Sequence, residues 1–263
     1  PTPASTISTK LNMTHSLGVS SGRNGSSLYP SRAPSNGARF HAPQAHEVLM
    51  RRLLASTAFA LLLAAPAAAQ QPDPDKAVQG SGTLPAGWMA RVDGGAALTK
   101  VKFETMPPGW HITLGPAAIF YQPADTVSGN AHMAATLHLF PGATHPESFG
   151  MFLGGQDLQG ANQSYTYFLI RGDGKFLIKR RKGDATTNVV GWTANAAVKA
   201  ADSTGHSSNE LSILVKDGKV SFMANGKEVH SANAADVDTK GVVGVRINHN
   251  LSIHLEKLQV HRM

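Results

Sequence analysis

Apolar and polar side chains alternate along residues 209–230, NELSILVKDGKVSFMANGKEVH, and the alternation breaks twice, at Asp217-Gly218 and at Asn225-Gly226. Asp-Gly and Asn-Gly suit two-residue type I′ turns, because both central positions need positive φ, which Gly accepts freely and Asn or Asp tolerates. Counting outward from the two turns sets Val215 opposite Val220, Ile213 opposite Phe222, and Phe222 opposite Val229. Leu211, Ile213, Val215, Val220, Phe222 and Val229 then share one face, while Ser212, Ser221 and Glu228 share the other. A slip of one residue would turn every side chain over, so two turns that agree on one apolar face predict a three-stranded antiparallel meander.

The same period of two recurs through the rest of the chain beyond residue 84. It predicts strands near 88–92, 100–105, 110–114, 118–122, 132–140, 149–153, 165–171, 175–181, 189–193, 211–216, 219–224, 227–230, 242–248 and 251–260. The only stretches with room for a helical turn, 194–201 and 232–237, read as loops. Many short strands between Gly-rich turns imply an all-β chain folded as a two-sheet sandwich or a barrel. In a second hairpin, YTYFLIRGDGKFLIKRR, a three-residue Gly172-Asp173-Gly174 loop pairs Ile170 with Phe176 and Phe168 with Ile178. The opposite face then carries Leu169 and Leu177, Tyr167 opposite Lys179, and Tyr165 opposite Arg181.

The N-terminal third has a different character. Residues 1–49 are rich in Ser, Pro, Gly, Asn and Ala and show no apolar periodicity. From Met50 a pair of arginines (Arg51, Arg52), an apolar run over 53–63 and the Ala67-Ala68-Ala69 site have the layout of a secretory signal peptide over 50–69. The run is short of the ~20 residues a membrane span needs. Residues 1–49 are expected to be an upstream extension that is not part of the native product, with a transit peptide as the competing reading. The arginines lack the polar neighbours of a twin-arginine signal, and no Cys follows the apolar run to anchor a lipoprotein. Residues 70–84 form a Pro/Gly-rich linker, and 85–263 the sandwich. The expectation is an exported protein, periplasmic or extracellular, with no membrane span after cleavage.

Removing the leader also changes the charge. Of 24 Lys and Arg, six precede Gln70, as does one of 17 acids; 18 cations then face 16 carboxylates, and the formal +7 of the whole chain shrinks to about +2. Nucleic acid is therefore not an expected partner. With no Cys, disulfides and thiolate chemistry are excluded, and stability has to come from the core.

The meander, a loop, and then GVVGVRINHNLSIHLEKLQV resemble the last third of concanavalin A-like, laminin G-like jelly rolls. There a strand ending in an N-G turn and a closing G-x-x-G-V-R strand complete the sandwich. The resemblance covers residues 85–262 and implies a two-sheet antiparallel jelly-roll sandwich. It places the chain near lectins, glycan-binding modules, glycoside hydrolases and bacterial secreted domains related to 3-keto-disaccharide hydrolases. The E-x-D-x-E strand of retaining glucanases and the N-S-G-I strand of the keto-disaccharide group are both absent, which weighs against carrying over a catalytic mechanism.

Candidate chemistry gathers on the second hairpin. Tyr165, Tyr167, Lys179 and Arg181 on one face would offer ring area and cations to an acidic glycan; the plain alternative is cross-strand packing of Tyr stems against Lys and Arg. Gln156 and Asp157, in the polar loop after Gly154-Gly155, would sit at the rim, unless that loop is simply a tight connection. No cofactor is expected. Calcium stays open at Asp157, although the loop lacks the evenly spaced oxygen ligands of a dedicated site. Arg171-Gly172-Asp173 spells an adhesion tripeptide, but turn chemistry accounts for each residue. Nine histidines follow residue 70 with no H-x-H or H-E-x-x-H spacing, so a metal site would need His from separate strands. Trp110, Tyr121 and Trp192 are further stacking candidates, and Glu104, Glu147, Asp157 and Glu210 are acids that the sequence does not pair. Two functions follow: a non-catalytic glycan-binding sandwich, or a saccharide hydrolase or lyase.

Overall fold

The computed structural model describes residues 74–263. The extension at 1–49, the leader at 50–69 and the first residues of the linker lie outside the described residues. Residues 74–84 form no strand but lie against the sandwich: the Gly80 amide donates to the Thr99 carbonyl at 2.7 Å, and Leu84 packs on the core.

Fourteen strands follow among the described residues, one at each stretch where alternation predicted one. They are β1 (Met89–Val92), β2 (Val101–Thr105), β3 (Trp110–Leu114), β4 (Ala118–Val127), β5 (Ala131–Phe140), β6 (Ser148–Gln156) and β7 (Ser164–Arg171). The second half is β8 (Lys175–Lys182), β9 (Ala185–Ala194), β10 (Ser207–Lys216), β11 (Lys219–Ala224), β12 (Lys227–Asn233), β13 (Gly241–Ile247) and β14 (Ser252–Arg262). The stretches at 194–201 and 232–237 carry no helix. Two 3-10 turns, Asp93–Gly95 and Leu98–Lys100, fall instead between β1 and β2, where no helical turn was predicted.

The strands make two seven-stranded antiparallel sheets. The first runs β1-β4-β13-β6-β7-β8-β9 and the second β12-β11-β10-β5-β14-β3-β2. Their inner faces bury one continuous core, with Phe120, Phe149, Phe168 and Phe176 from the first sheet meeting Leu137, Ile213, Phe222 and Ile253 from the second. The two-sheet antiparallel sandwich is thus the architecture observed.

Both hairpins of the meander close as their turn residues dictate. Asp217 and Asn225 take φ of 48° and 50°, followed by Gly218 at 79° and Gly226 at 75°, all in the left-handed region. Val215 lies opposite Val220 and Ile213 opposite Phe222, as counted. The third strand departs from the count. Phe222 pairs with His230 and Met223 with Glu228, so Val229 is the extra residue of a β-bulge rather than the partner of Phe222. It still packs partly against the core, while the His230 ring stacks on Phe222 with centroids 6.3 Å apart.

The β7–β8 hairpin has the expected register throughout: Tyr165 faces Arg181, Tyr167 faces Lys179, Phe168 faces Ile178 and Ile170 faces Phe176. Its loop closes with the Gly174 amide donating to the Arg171 carbonyl at 3.1 Å and Gly174 at a φ of 77°. Phe168, Ile170, Phe176 and Ile178 face the core. Tyr165, Tyr167, Leu169 and Leu177 point to the outer face of the first sheet, where they form a second apolar cluster with Ile119, Tyr121, Phe152 and Leu158.

Candidate functional site

The outer face of the first sheet holds a predominantly polar groove of about 280 Å³. Parity explains its lining. Side chains at every second position of β13, β7 and β8 project outward, giving Arg246, then Tyr167, Leu169 and Arg171, then Leu177 and Lys179. Asn248 continues the parity of β13 past its end, and Trp192 of the edge strand β9 makes the far wall. Glu147, the residue before β6, and Ser148, its first residue, also line the groove.

Three of these groups are cations in different states. Arg246 is almost completely buried and pairs with Asp93, Nη2 to Oδ2 at 2.7 Å, while its Nη1 donates to the Tyr165 hydroxyl at 3.3 Å. Burial opposes its charge, but Tyr165 and the hydrogen-bonded Asp93 carboxylate outweigh that, and its pKa lies above the ordinary arginine value. Arg171 forks onto Asp173 with bonds of 3.0 and 2.6 Å, and its guanidinium carbon sits 4.3 Å from the Trp192 ring centroid. The indole remains 41% exposed and is the largest aromatic surface the groove offers. Lys179 has no ion-pair partner among the described residues and is the cation left for a ligand.

Tyr167 lies beside Arg246, with the guanidinium carbon 5.6 Å from its ring centroid. Burial pushes its phenol above the usual tyrosine range, only partly countered by Arg246, so the group stays protonated near neutral pH.

Of the six residues singled out in the sequence, Tyr167 and Lys179 line this groove and the other four do not. Tyr165 shares their parity but is fully buried and offers no ring face to a ligand. The cause is the connection between β6 and β7, which folds back over it. Leu158 from that connection packs on the tyrosine cluster, Gln159 Nε2 donates to the Tyr121 hydroxyl at 2.8 Å, and Arg91 holds the Leu158 and Gly160 carbonyls. Leu158, an apolar residue in an otherwise polar loop, is the one sequence signal for this cover. Arg181 turns to the Gly183 carbonyl at 3.2 Å. Asp157 serves its own loop: at a φ of 47° its carboxylate accepts the Asn162 amide at 3.0 Å. Gln156 donates to the Lys240 carbonyl at 3.1 Å. As rim residues of a tyrosine surface, Gln156 and Asp157 are therefore displaced to the opposite end of β7.

Arg171 and Arg246 are groove residues that the sequence did not single out for the glycan surface. Arg171 reads locally as turn chemistry, and nothing near Arg246 in the chain announces Asp93 as its partner. Among the stacking candidates, Trp110 packs edge-on against Trp88 with centroids 4.9 Å apart, and Tyr121 is buried, leaving Trp192. Of Glu104, Glu147, Asp157 and Glu210, only Glu147 lines the groove.

No family description and no characterised protein matches the chain in sequence. In three dimensions it is similar to the carbohydrate-binding module CBM66 from Bacillus subtilis, with a TM-score of 0.51 and 7% identity over 68% of this chain and 98% of that one. A Bacillus subtilis protein of unknown function with a galectin-like fold gives a TM-score of 0.48 at 11% identity, covering 66% of this chain and 88% of the other. An alginate lyase of polysaccharide lyase family 7 gives 0.44 at 13%, covering 61% and 84%. The sheet order, together with the likeness to the carbohydrate-binding module, shows that residues 74–263 have the fold of a two-sheet antiparallel jelly-roll sandwich.

Proposed function

We propose that the protein is an exported glycan-binding sandwich that takes an acidic oligosaccharide in the groove on its first sheet. The observation that carries this reading is the groove's composition: an exposed indole, Trp192, beside Lys179, which has no ion-pair partner among the described residues, with Arg171 and Arg246 held next to them by carboxylates of their own. A flat apolar ring flanked by hydrogen-bonding cations suits a sugar ring bearing a carboxylate. The fold is shared with a carbohydrate-binding module, which agrees with this use. Export rests on the layout of residues 50–69.

The groove's chemistry favours binding over turnover. Hydrolysis by paired carboxylates needs two acids flanking the bond, and the described lining supplies Glu147 alone. A tyrosine serving as a base needs its pKa brought down toward the working pH, and Tyr167 is shifted the other way.

A glycan array containing uronate oligosaccharides tests the proposal. Trp192→Ala is expected to weaken binding at least tenfold, and Lys179→Ala to remove the preference for acidic glycans together with its weakening at high salt. Trp192 is exposed and Lys179 half-buried, and neither belongs to the core, so both variants are expected to stay folded, which a Tyr165→Ala variant would not guarantee. Unchanged binding in both variants would refute the groove, and release of shorter products from a bound oligosaccharide would replace the binding reading with an enzymatic one.

A further inference from the structure

A second cluster stands at the Glu147 end of the groove. His145 and Glu147 belong to the connection between β5 and β6, and His249 to the turn between β13 and β14. His249 Nε2 lies 2.9 Å and His145 Nδ1 3.2 Å from the same atom, Glu147 Oε1. One ligand atom from each of the three residues falls within 4.8 Å of the others.

The arrangement is held from behind. The other ring nitrogen of His249, Nδ1, faces Asp75 Oδ1 at 3.4 Å. Asp75 is placed there by its neighbours: the Lys76 amide donates to Asn250 Oδ1 at 2.7 Å, and Asn250 Nδ2 donates to the Pro74 carbonyl at 3.1 Å. Asn250, at a φ of 60°, turns the chain immediately after His249. The segment preceding the first strand thus fixes the histidine from one side while the β5–β6 connection approaches from the other.

We propose that His145, Glu147 and His249 bind one divalent transition-metal ion of the zinc type, with Asp75 orienting His249. Two imidazoles and a carboxylate are the donor set that suits zinc, whereas calcium takes six to eight oxygens. The spacing fits as well. Bonds of ~2.0–2.1 Å in a tetrahedron put ligand atoms ~3.3 Å apart; Glu147 Oε1 lies 2.9 and 3.2 Å from the two imidazole nitrogens and all three atoms fall within 4.8 Å, so the ligands reach that geometry by moving slightly off the carboxylate and turning both imidazoles toward one ion. A carboxylate on Nδ1 leaves Nε2 as the ligating nitrogen, the usual outer arrangement behind a metal-bound histidine. Three protein ligands leave the fourth position open. His145 and Glu147 also line an open cavity of about 490 Å³.

The test is calorimetric titration of zinc sulfate into the chelator-treated full chain without any sugar, so its outcome does not depend on the glycan reading. One zinc per chain is expected. His145→Ala and His249→Ala should each weaken binding at least tenfold, and Asp75→Asn about tenfold, the lower end for losing such an outer partner. His206→Ala, outside the cluster, should bind as the wild type does, and excess calcium should not displace zinc. The absorption fine structure of the zinc-loaded protein should show two imidazole ligands, a readout that needs no variant. Failure of the wild type to bind zinc saturably at one per chain would overturn the proposal. So would unchanged binding in a His145→Ala, His249→Ala double variant, displacement by calcium, or a zinc spectrum without two imidazoles.

Discussion

Phe222→Ala probes the packing that joins the two hairpins. Phe222 is fully buried, lies opposite Ile213 in β10, and stacks on His230 of β12. Its ring also meets Phe168 of the facing sheet, with centroids 5.6 Å apart and planes at 63°. Deleting a buried phenylalanine ring costs about 3–5 kcal/mol. Two ring contacts are lost with it, and such pairs contribute about 0.5–1.5 kcal/mol beyond burial. The expected loss is therefore in the upper part of that range, about 4–5 kcal/mol, a large fraction of the ~5–15 kcal/mol that stabilises a domain. Denaturant unfolding of the wild type, Phe222→Ala, Phe168→Ala and the double variant measures it, with the slope on denaturant unchanged if only stability moves. Because the two rings touch, the double variant should depart from additivity by at least about 0.5 kcal/mol. Val229→Ala serves as the internal comparison: at the bulge and only partly buried, it should cost about 1 kcal/mol. A Phe222→Ala loss below about 2 kcal/mol, or strict additivity with Phe168, would refute this account of the core.

Asn209 is fully buried and exchanges bonds of 2.8 and 3.0 Å with the Lys199 backbone while accepting from Asn225 at 2.8 Å, so Asn209→Ala, which strands the Lys199 amide and carbonyl and removes one of two acceptors of the Asn225 amide, should cost about 2–3 kcal/mol in the same assay. The hydrogen bonds from Arg171 hold the Asp173 carboxyl below the usual carboxylate range. Its contribution, about 0.2–1 kcal/mol for a partly exposed pair, is therefore present above about pH 4 and lost as pH falls through the lowered pKa. Asp173→Asn should be less stable than wild type at pH 6 and close to it near pH 2, which unfolding midpoints across that range will show. Processing after Ala69 should give an exported product beginning at Gln70, read from its intact mass; a product retaining residues 1–49 would contradict the leader reading.

The elements that the sequence determined by itself are those governed by short-range physics. Positive φ at Asp217, Gly218, Asn225 and Gly226, and at Gly174 of the β7–β8 loop, fixes where strands reverse. Side-chain alternation then fixes which residues share a face, and so the full register from Tyr165–Arg181 to Ile170–Phe176 follows from counting. The fourteen strands were legible for the same reason, since each rests on a period of two and a nearby turn, whereas alternation alone left a sandwich or a barrel open and the resemblance to jelly rolls pointed to the sandwich.

What only the tertiary structure decided involves residues far apart in the chain. Turn counting carries no mark of a bulge, because an extra residue such as Val229 is accommodated by packing across the strand rather than by its own chemistry. Parity put Tyr165 and Tyr167 on the outer face correctly but could not say that a loop carrying Leu158 covers Tyr165 and leaves Tyr167 in the groove. The sheet order that sets β13 between β4 and β6 brings Arg246 to Tyr167 and, with Asp93 from the turn after β1, neutralises a cation no local pattern explains. His249 meets Glu147 across about a hundred residues because two loops end at the same edge of the sandwich. Alternation and turn residues act over a few positions, whereas cover, charge pairing and ligand clusters depend on which distant segments the closed core brings together.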